Sequence, residues 1–165
     1  MSTLPILKWP DPRLSEVCAP VEDPDAVATL VTDMFETMYA APGRGLAAPQ
    51  VGHMVRLFVM DVGWKDGEMA PLVCLNPRLA GQGEGHATGS EGCLSVPGVA
   101  ATVSRSTEIT LIYTDLSGQT QEVTMIGAES RVAQHEIDHL DGVMHFDRID
   151  APARAALLAE YAGQG

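Results

Sequence analysis

Apolar positions along this chain follow two rhythms. From Asp23-Pro24 onward, Val27, Leu30, Val31, Met34, Phe35 and Met38 recur at i, i+3, i+4 and i+7, the spacing of one buried helix face. Asp23 caps this helix, Pro24 opens it and Pro42-Gly43 ends it. Short runs rich in β-branched and aliphatic residues predict strands at Arg56 to Asp61 and at Leu72 to Leu75, the latter closed by Asn76-Pro77. Glu108 to Tyr113 and Gln121 to Met125 read as a hairpin through Ser117-Gly118. Gly81 to Gly89 has no periodicity and is expected to be a flexible loop, and Pro97-Gly98 closes the segment Glu91 to Ser95. A second helix is expected from near Gly127 and a short last one over Ala151 to Tyr161. Strands precede the second helix in meander fashion, so the expected class is α+β, with mostly antiparallel sheets packed around a central helix in one domain over 1–165.

That helix carries the stretch QHEIDHLDG, Gln134 to Gly142. His135 and His139 stand at i and i+4, on one helix face, where both rings can bind one metal ion. Ala133, Ile137 and Leu140 share an apolar arc with Val132 at its edge, and Glu136 points into that arc, while Gln134 and Asp138 take the polar side. A carboxyl among apolar neighbours should have a raised pKa, which suits a proton acceptor working near neutrality.

Two imidazoles need a third ligand to make an open catalytic site, and two candidates compete. His145 completes HExxHxxGxxH with Gly142 in place, the three-histidine zinc pattern of metzincin endopeptidases. No methionine follows Met144 to form the turn those enzymes place beneath their metal. Cys93, in EGCLS 42 residues before His135, offers a thiolate suited to a borderline-soft divalent ion, although a free cysteine is more often a buried structural thiol. A further stretch, GRGLAAPQ from Gly43 to Gln50, combines two glycines with Pro49. It suits either close backbone approach to a ligand or an ordinary loop.

Composition narrows the classes. At 165 residues and 45% hydrophobic content, the chain can bury a core without staples. A formal charge of −12 argues against direct nucleic-acid binding and against anionic membranes. Three cysteines are an odd count without framework spacing, so a reducing compartment is the default. The N-terminus lacks a signal-peptide pattern and no apolar stretch approaches the ~20 residues of a membrane span. A cytoplasmic protein is expected.

Taken together and in this order, GRGLAAPQ, EGCLS and QHEIDHLDG resemble the three signature motifs of the peptide deformylases, supported by the DPRL and MFETMYA segments. The resemblance covers essentially the whole chain. It implies that Cys93, His135 and His139 hold one divalent metal, Fe2+ by expectation with Zn2+, Ni2+ or Co2+ as replacements. It implies removal of the formyl group from N-formylmethionyl peptides, with metal-bound water as nucleophile and Glu136 as general base and then acid. The Gln50 amide and the Leu94 backbone N–H would stabilise the tetrahedral oxygen, and the Gly45 carbonyl would receive the formamide N–H. Gly43, Arg44 and Gly92 would line the substrate. The implied partners are nascent formylated peptides, with the ribosome as a further candidate, and a monomer is expected.

The chain also departs from the family pattern. Arg44 replaces an aliphatic residue, Gly89 and Ala128 lack pocket bulk, Ala100 replaces an arginine, His145 replaces an apolar residue, and the last helix is short. A charge in an apolar pocket costs several kcal/mol unless paired, so Arg44 must reach solvent or an acidic group. Altered substrate choice and a binding-only role are the alternatives these departures raise.

Overall fold

In the computed structural model, which describes residues 2–164, the helical stripe splits in two. Asp23 accepts a hydrogen bond from the Asp25 N–H and starts a 3-10 turn at Pro24–Val27. The α-helix proper, α1, covers Ala28–Ala40 and buries Val31, Met34 and Met38. The strands are β1 (Gly45–Ala47), β2 (Leu57–Met60), β3 (Leu72–Gln82), β4 (His86–Cys93), β5 (Val96–Ser106), β6 (Glu108–Thr114) and β7 (Thr120–Ile126). Helices α2 (Gly127–Leu140) and α3 (Ala151–Gly163) complete the chain.

All strand pairs are antiparallel, in a five-stranded sheet ordered β1-β2-β3-β6-β7 and a two-stranded sheet β4-β5. Helix α2 packs against β1, β2, β6 and β7 of the first sheet and against β5 of the second. One face of the large sheet gathers Phe58, Met60, Cys74, Ile109 and Leu111 with Ala133, Ile137 and Leu140 of α2. The other packs Leu57, Val59 and Leu75 against α1. A third cluster, with Val96, Val103, Met144, Phe146 and Leu157, joins β5 to the C-terminal helix. No helix among the described residues is long and apolar enough to cross a membrane.

The strands depart from expectation in three places. Asn76-Pro77 does not end β3. Asn76 adopts φ +49 and the register shifts between Leu75 and Arg78, so the dipeptide is accommodated as a bulge. The Asn76 side chain holds it there, accepting from the Val21 N–H and donating to the Val21 carbonyl at 2.8 and 2.9 Å. Gly81 to Gly89 is not a flexible loop, because β3 runs through Gln82 and β4 starts at His86. Pro97-Gly98 does not close a segment either: both lie inside β5, where Gly98 takes φ +83. The GRGLAAPQ stretch forms edge strand β1 and then a 3-10 turn over Ala48–Val51 with Pro49 near its start, where a missing N–H costs nothing.

Candidate active site

Helix α2 aims its motif at the turn between β4 and β5. A ligand atom from each of Cys93, His135 and His139 lies within 4.8 Å of the others, and all three residues are buried. Cys93 Sγ stands 3.4 Å from His139 Nε2. His135 turns Nδ1 to Glu91, donating to Oε1 at 2.9 Å, which leaves Nε2 free to face an ion. A carboxylate on the far ring nitrogen is a common device for fixing a histidine ligand. One thiol and two imidazoles are donors that divalent transition ions accept, and three protein ligands leave a position open. The residues fit a metal.

His145 does not join the three convergent donors. Its ring packs edge-on to His135 with centroids 5.8 Å apart, and neither of its buried nitrogens has a hydrogen-bond partner. Burial first, then the nearby His135 charge, lowers its pKa to about 4.

Glu136 is 4% exposed, and its Oε1 has no partner. Burial pushes its pKa up to about 7, with His135 pulling in the other direction. The carboxyl touches β1 so closely that a Cβ on Gly45 would sit 2.6 Å from Glu136 Oε2 and 2.9 Å from Val132 Cγ1. Only glycine lets the strand approach there. A Cβ on Gly43 would lie 2.8 Å from Leu94 Cδ1, and the Gly43 carbonyl accepts from Trp64 Nε1 at 2.8 Å. Gly92 is different, since a Cβ there would meet no atom within 4 Å; this stretch of β4 is open.

Gln50 is buried and anchored at both ends of its amide. Oε1 accepts from the Ala47 N–H at 2.9 Å, and Nε2 donates to Ser95 Oγ at 3.1 Å while lying 3.7 Å from Cys93 Sγ. Leu94 follows Cys93 in the turn. A cavity of about 660 Å³ is lined by these residues, including Gly43, Gly45, Gln50, Gly92, Cys93 and Glu136.

Behind the histidines lies a charged network that the sequence reading did not contain. Arg105 donates from Nε and one terminal nitrogen to both Glu91 oxygens at 2.9 Å, and from the other to Asp138 Oδ2 at 2.7 Å. Arg131 adds a bond to Glu91 Oε2 at 2.7 Å, and Arg148 pairs with Asp138 at 2.7 Å. Burial alone would raise the Glu91 pKa, but the bonds from Arg105 and His135 hold it well below the usual carboxylate range. Burial opposes the His135 imidazolium too, and the neighbouring Cys93 thiol and Glu91 carboxylate outweigh it and raise its pKa. Burial and the His135 charge together lower that of His139. Gln134 and Asp138 therefore do not face water as expected. Both are buried, Asp138 against arginines and Gln134 by donating to the Ser106 carbonyl at 2.9 Å. A signal was available: Arg105 continues the inward alternation of Val99, Ala101 and Val103, and a cation in a core phase demands a buried partner.

The atypical positions resolve individually. Arg44 is exposed and forms no ion pair with a described residue, so it reaches solvent. The space left by Gly89 is filled by the Arg131 guanidinium, whose Cζ would stand 3.2 Å from a Cβ there. Ala128 and Ala100 are exposed, and Ala128 lines the cavity.

The chain is similar in sequence and in fold to known proteins. Residues 3–155 match the family of polypeptide deformylases. A peptide deformylase of Chlorobaculum tepidum is 43% identical over 160 residues, covering 95% of this chain and 85% of the relative. One from Rhizobium meliloti is 43% identical over 162 residues, covering 98% and 93%. Among solved structures, the peptide deformylase from Thermus thermophilus superposes with a TM-score of 0.91 at 41% identity, covering 99% and 95%. That from Ehrlichia chaffeensis in complex with actinonin gives 0.93 at 36% identity, covering 99% and 98%.

Proposed function

The chain belongs to the polypeptide deformylase family, enzymes that remove the formyl group from nascent peptides, and we propose that it hydrolyses N-formylmethionyl peptides using one divalent metal held by Cys93, His135 and His139. The observation that carries this reading is the convergence of one thiol and two imidazoles within 4.8 Å, beside a buried carboxyl whose pKa is about 7. Fe2+ is the ion proposed, with Zn2+, Ni2+ or Co2+ able to replace it on the same donors. When bound, the metal supplies Lewis acidity, which lowers the pKa of coordinated water and polarises a carbonyl.

The chain's own groups do the rest. Glu136 accepts the proton of the attacking water and returns it to the departing amine, two tasks that suit a buried carboxyl whose proton affinity is raised by burial. Gln50 Nε2, held by its bond to Ser95 and by the Ala47 anchor on Oε1, donates to the formyl oxygen as negative charge grows there. The Leu94 N–H is the second donor. Because Gln50 is already oriented, little reorganisation remains for the transition state. The Gly45 carbonyl accepts the formamide N–H, and the open stretch at Gly92 pairs with the substrate backbone as an added strand. One water adds across the formamide C–N bond, and formate and a free amino terminus leave.

The test is formate release from a formyl-Met-Ala-Ser peptide by protein reconstituted anaerobically with Fe2+, with Glu136→Ala as control. Release that the control abolishes is the expected result. No release at full metal occupancy, or equal release by the control, would overturn the reading.

A further inference from the structure

The chain's positive charges are distributed unevenly. Of its ten lysines and arginines, Arg13, Arg56, Arg105, Arg131, Arg148 and Arg154 pair with carboxylates. Four remain without an ion pair among the described residues: Lys8, Arg44, Lys65 and Arg78. Three of these four, Lys8, Arg44 and Lys65, are exposed and line the 660 Å³ cavity. Acidic groups show the opposite pattern. The chain has 22 Asp and Glu, yet only Glu91 and Glu136 line the cavity among the described residues, and both are buried. Glu91 is already engaged by Arg105, Arg131 and His135. A protein of formal charge −12 thus lines its reaction cleft with three cations that form no ion pair among the described residues.

The three cations come from separate elements tied to the site. Lys8 lies between Leu7, whose N–H donates to the Gln50 carbonyl, and Trp9, whose N–H donates to the Ser95 carbonyl. Arg44 immediately precedes Gly45, against which Glu136 packs. Lys65 sits 6.0 Å from the centre of the Trp64 ring, and Trp64 donates to the Gly43 carbonyl.

Building on the deformylase reading, we propose that Lys8, Arg44 and Lys65 make this cleft selective for formyl peptides bearing acidic side chains at the residues after the formyl-methionine. Substrate carboxylates would supply the partners that the fold withholds, and the local positive field would draw such peptides in against the overall negative charge. Each exposed ion pair is worth roughly 1.5- to fivefold, so two or three together give on the order of tenfold in kcat/KM.

The experiment compares formyl-Met-Asp-Glu amide with formyl-Met-Asn-Gln amide, and each with its free-acid form, using the metal-loaded enzyme. The acidic amide should be favoured about tenfold at low salt and by less than about twofold near 1 M salt, where screening acts within about 3 Å. The K8Q/R44Q/K65Q triple variant should lose most of the acidic-to-neutral ratio. Calorimetric binding of the same amides to Glu136→Ala should show the same order of affinity, which reads recognition apart from turnover. Equal kcat/KM and equal affinity for the two amides, or an undiminished ratio in the triple variant, would overturn the proposal. So would a gain confined to free-acid peptides, which would assign the cations to a chain-terminal carboxylate. An absence of formate release with the binding order preserved would refute the hydrolytic reading and leave acidic-peptide recognition standing.

Discussion

Replacing Glu136 by glutamine should stabilise the metal-free protein while removing its activity. The carboxyl is 4% exposed, and its pKa rises from 4.5 to about 7, chiefly through burial. Between those two values the folded chain retains a proton that the unfolded chain has released, so stability falls as pH rises through this window. A shift of about 2.5 units at 1.36 kcal/mol each places the cost at about 3 kcal/mol once the group is fully ionised. Glutamine keeps the volume and removes the charge. At pH 5 the two proteins should melt within about a degree of each other. At pH 9 the variant should melt higher by about 6 to 12 °C, taking about 2 to 4 °C per kcal/mol for a chain of this size. Thermal denaturation in chelator and reductant reads this directly, and added metal should shrink the gap by neutralising the wild-type carboxylate. Equal melting at both pH values, or a wild type more stable at pH 9, would refute the argument that burial destabilises the Glu136 carboxylate.

Gln50→Ala removes an oriented donor beside Cys93, and should lower kcat by about 10²- to 10³-fold with metal content unchanged by elemental analysis. Glu91→Gln leaves Arg105 without one of its buried partners and loosens His135; it should weaken metal affinity by about 10- to 100-fold in chelator competition. Because Glu91 has a lowered folded pKa, its stabilisation is complete above about 4.5 and is lost as pH falls below it, so the variant's melting temperature should depend less on pH in the acid range. Gly142→Ala should destabilise strongly, since Gly142 has φ +73 and a Cβ would lie 2.6 Å from the Ser15 carbonyl oxygen. The left-handed backbone alone costs about 1–2 kcal/mol, and a melting temperature within a degree of wild type would contradict the clash.

What could be read from the chain depended on how local the signal was. His135, Glu136 and His139 lie within five consecutive residues, and helical spacing alone places them on neighbouring faces. The stripe of α1 was equally plain. Strand β4 was hidden because it is exposed along most of its length and carries no apolar phase. In β5 the alternation of Val99, Ala101 and Val103 is legible, but Pro97-Gly98 interrupts its start and Arg105 occupies its last inward position. Asn76-Pro77 concealed the length of β3, because a bulge and a strand end share the same turn residues. The partners of Glu91 lie 14 residues away at Arg105 and 44 away at His135, and no spacing rule connects them. The cationic rim likewise exists only after three distant segments meet at one cleft.

The most direct test is an anaerobic titration of metal-free protein with Fe2+ while formate release is followed, in the wild type and in Cys93→Ala. Activity in the wild type should rise linearly and break at about one ion per chain, as expected for a site built from three protein ligands, and the variant should neither hold the ion nor release formate over the same range. Formate release without metal, or full release by Cys93→Ala, would contradict the assignment of Cys93, His135 and His139 as the centre that performs the reaction.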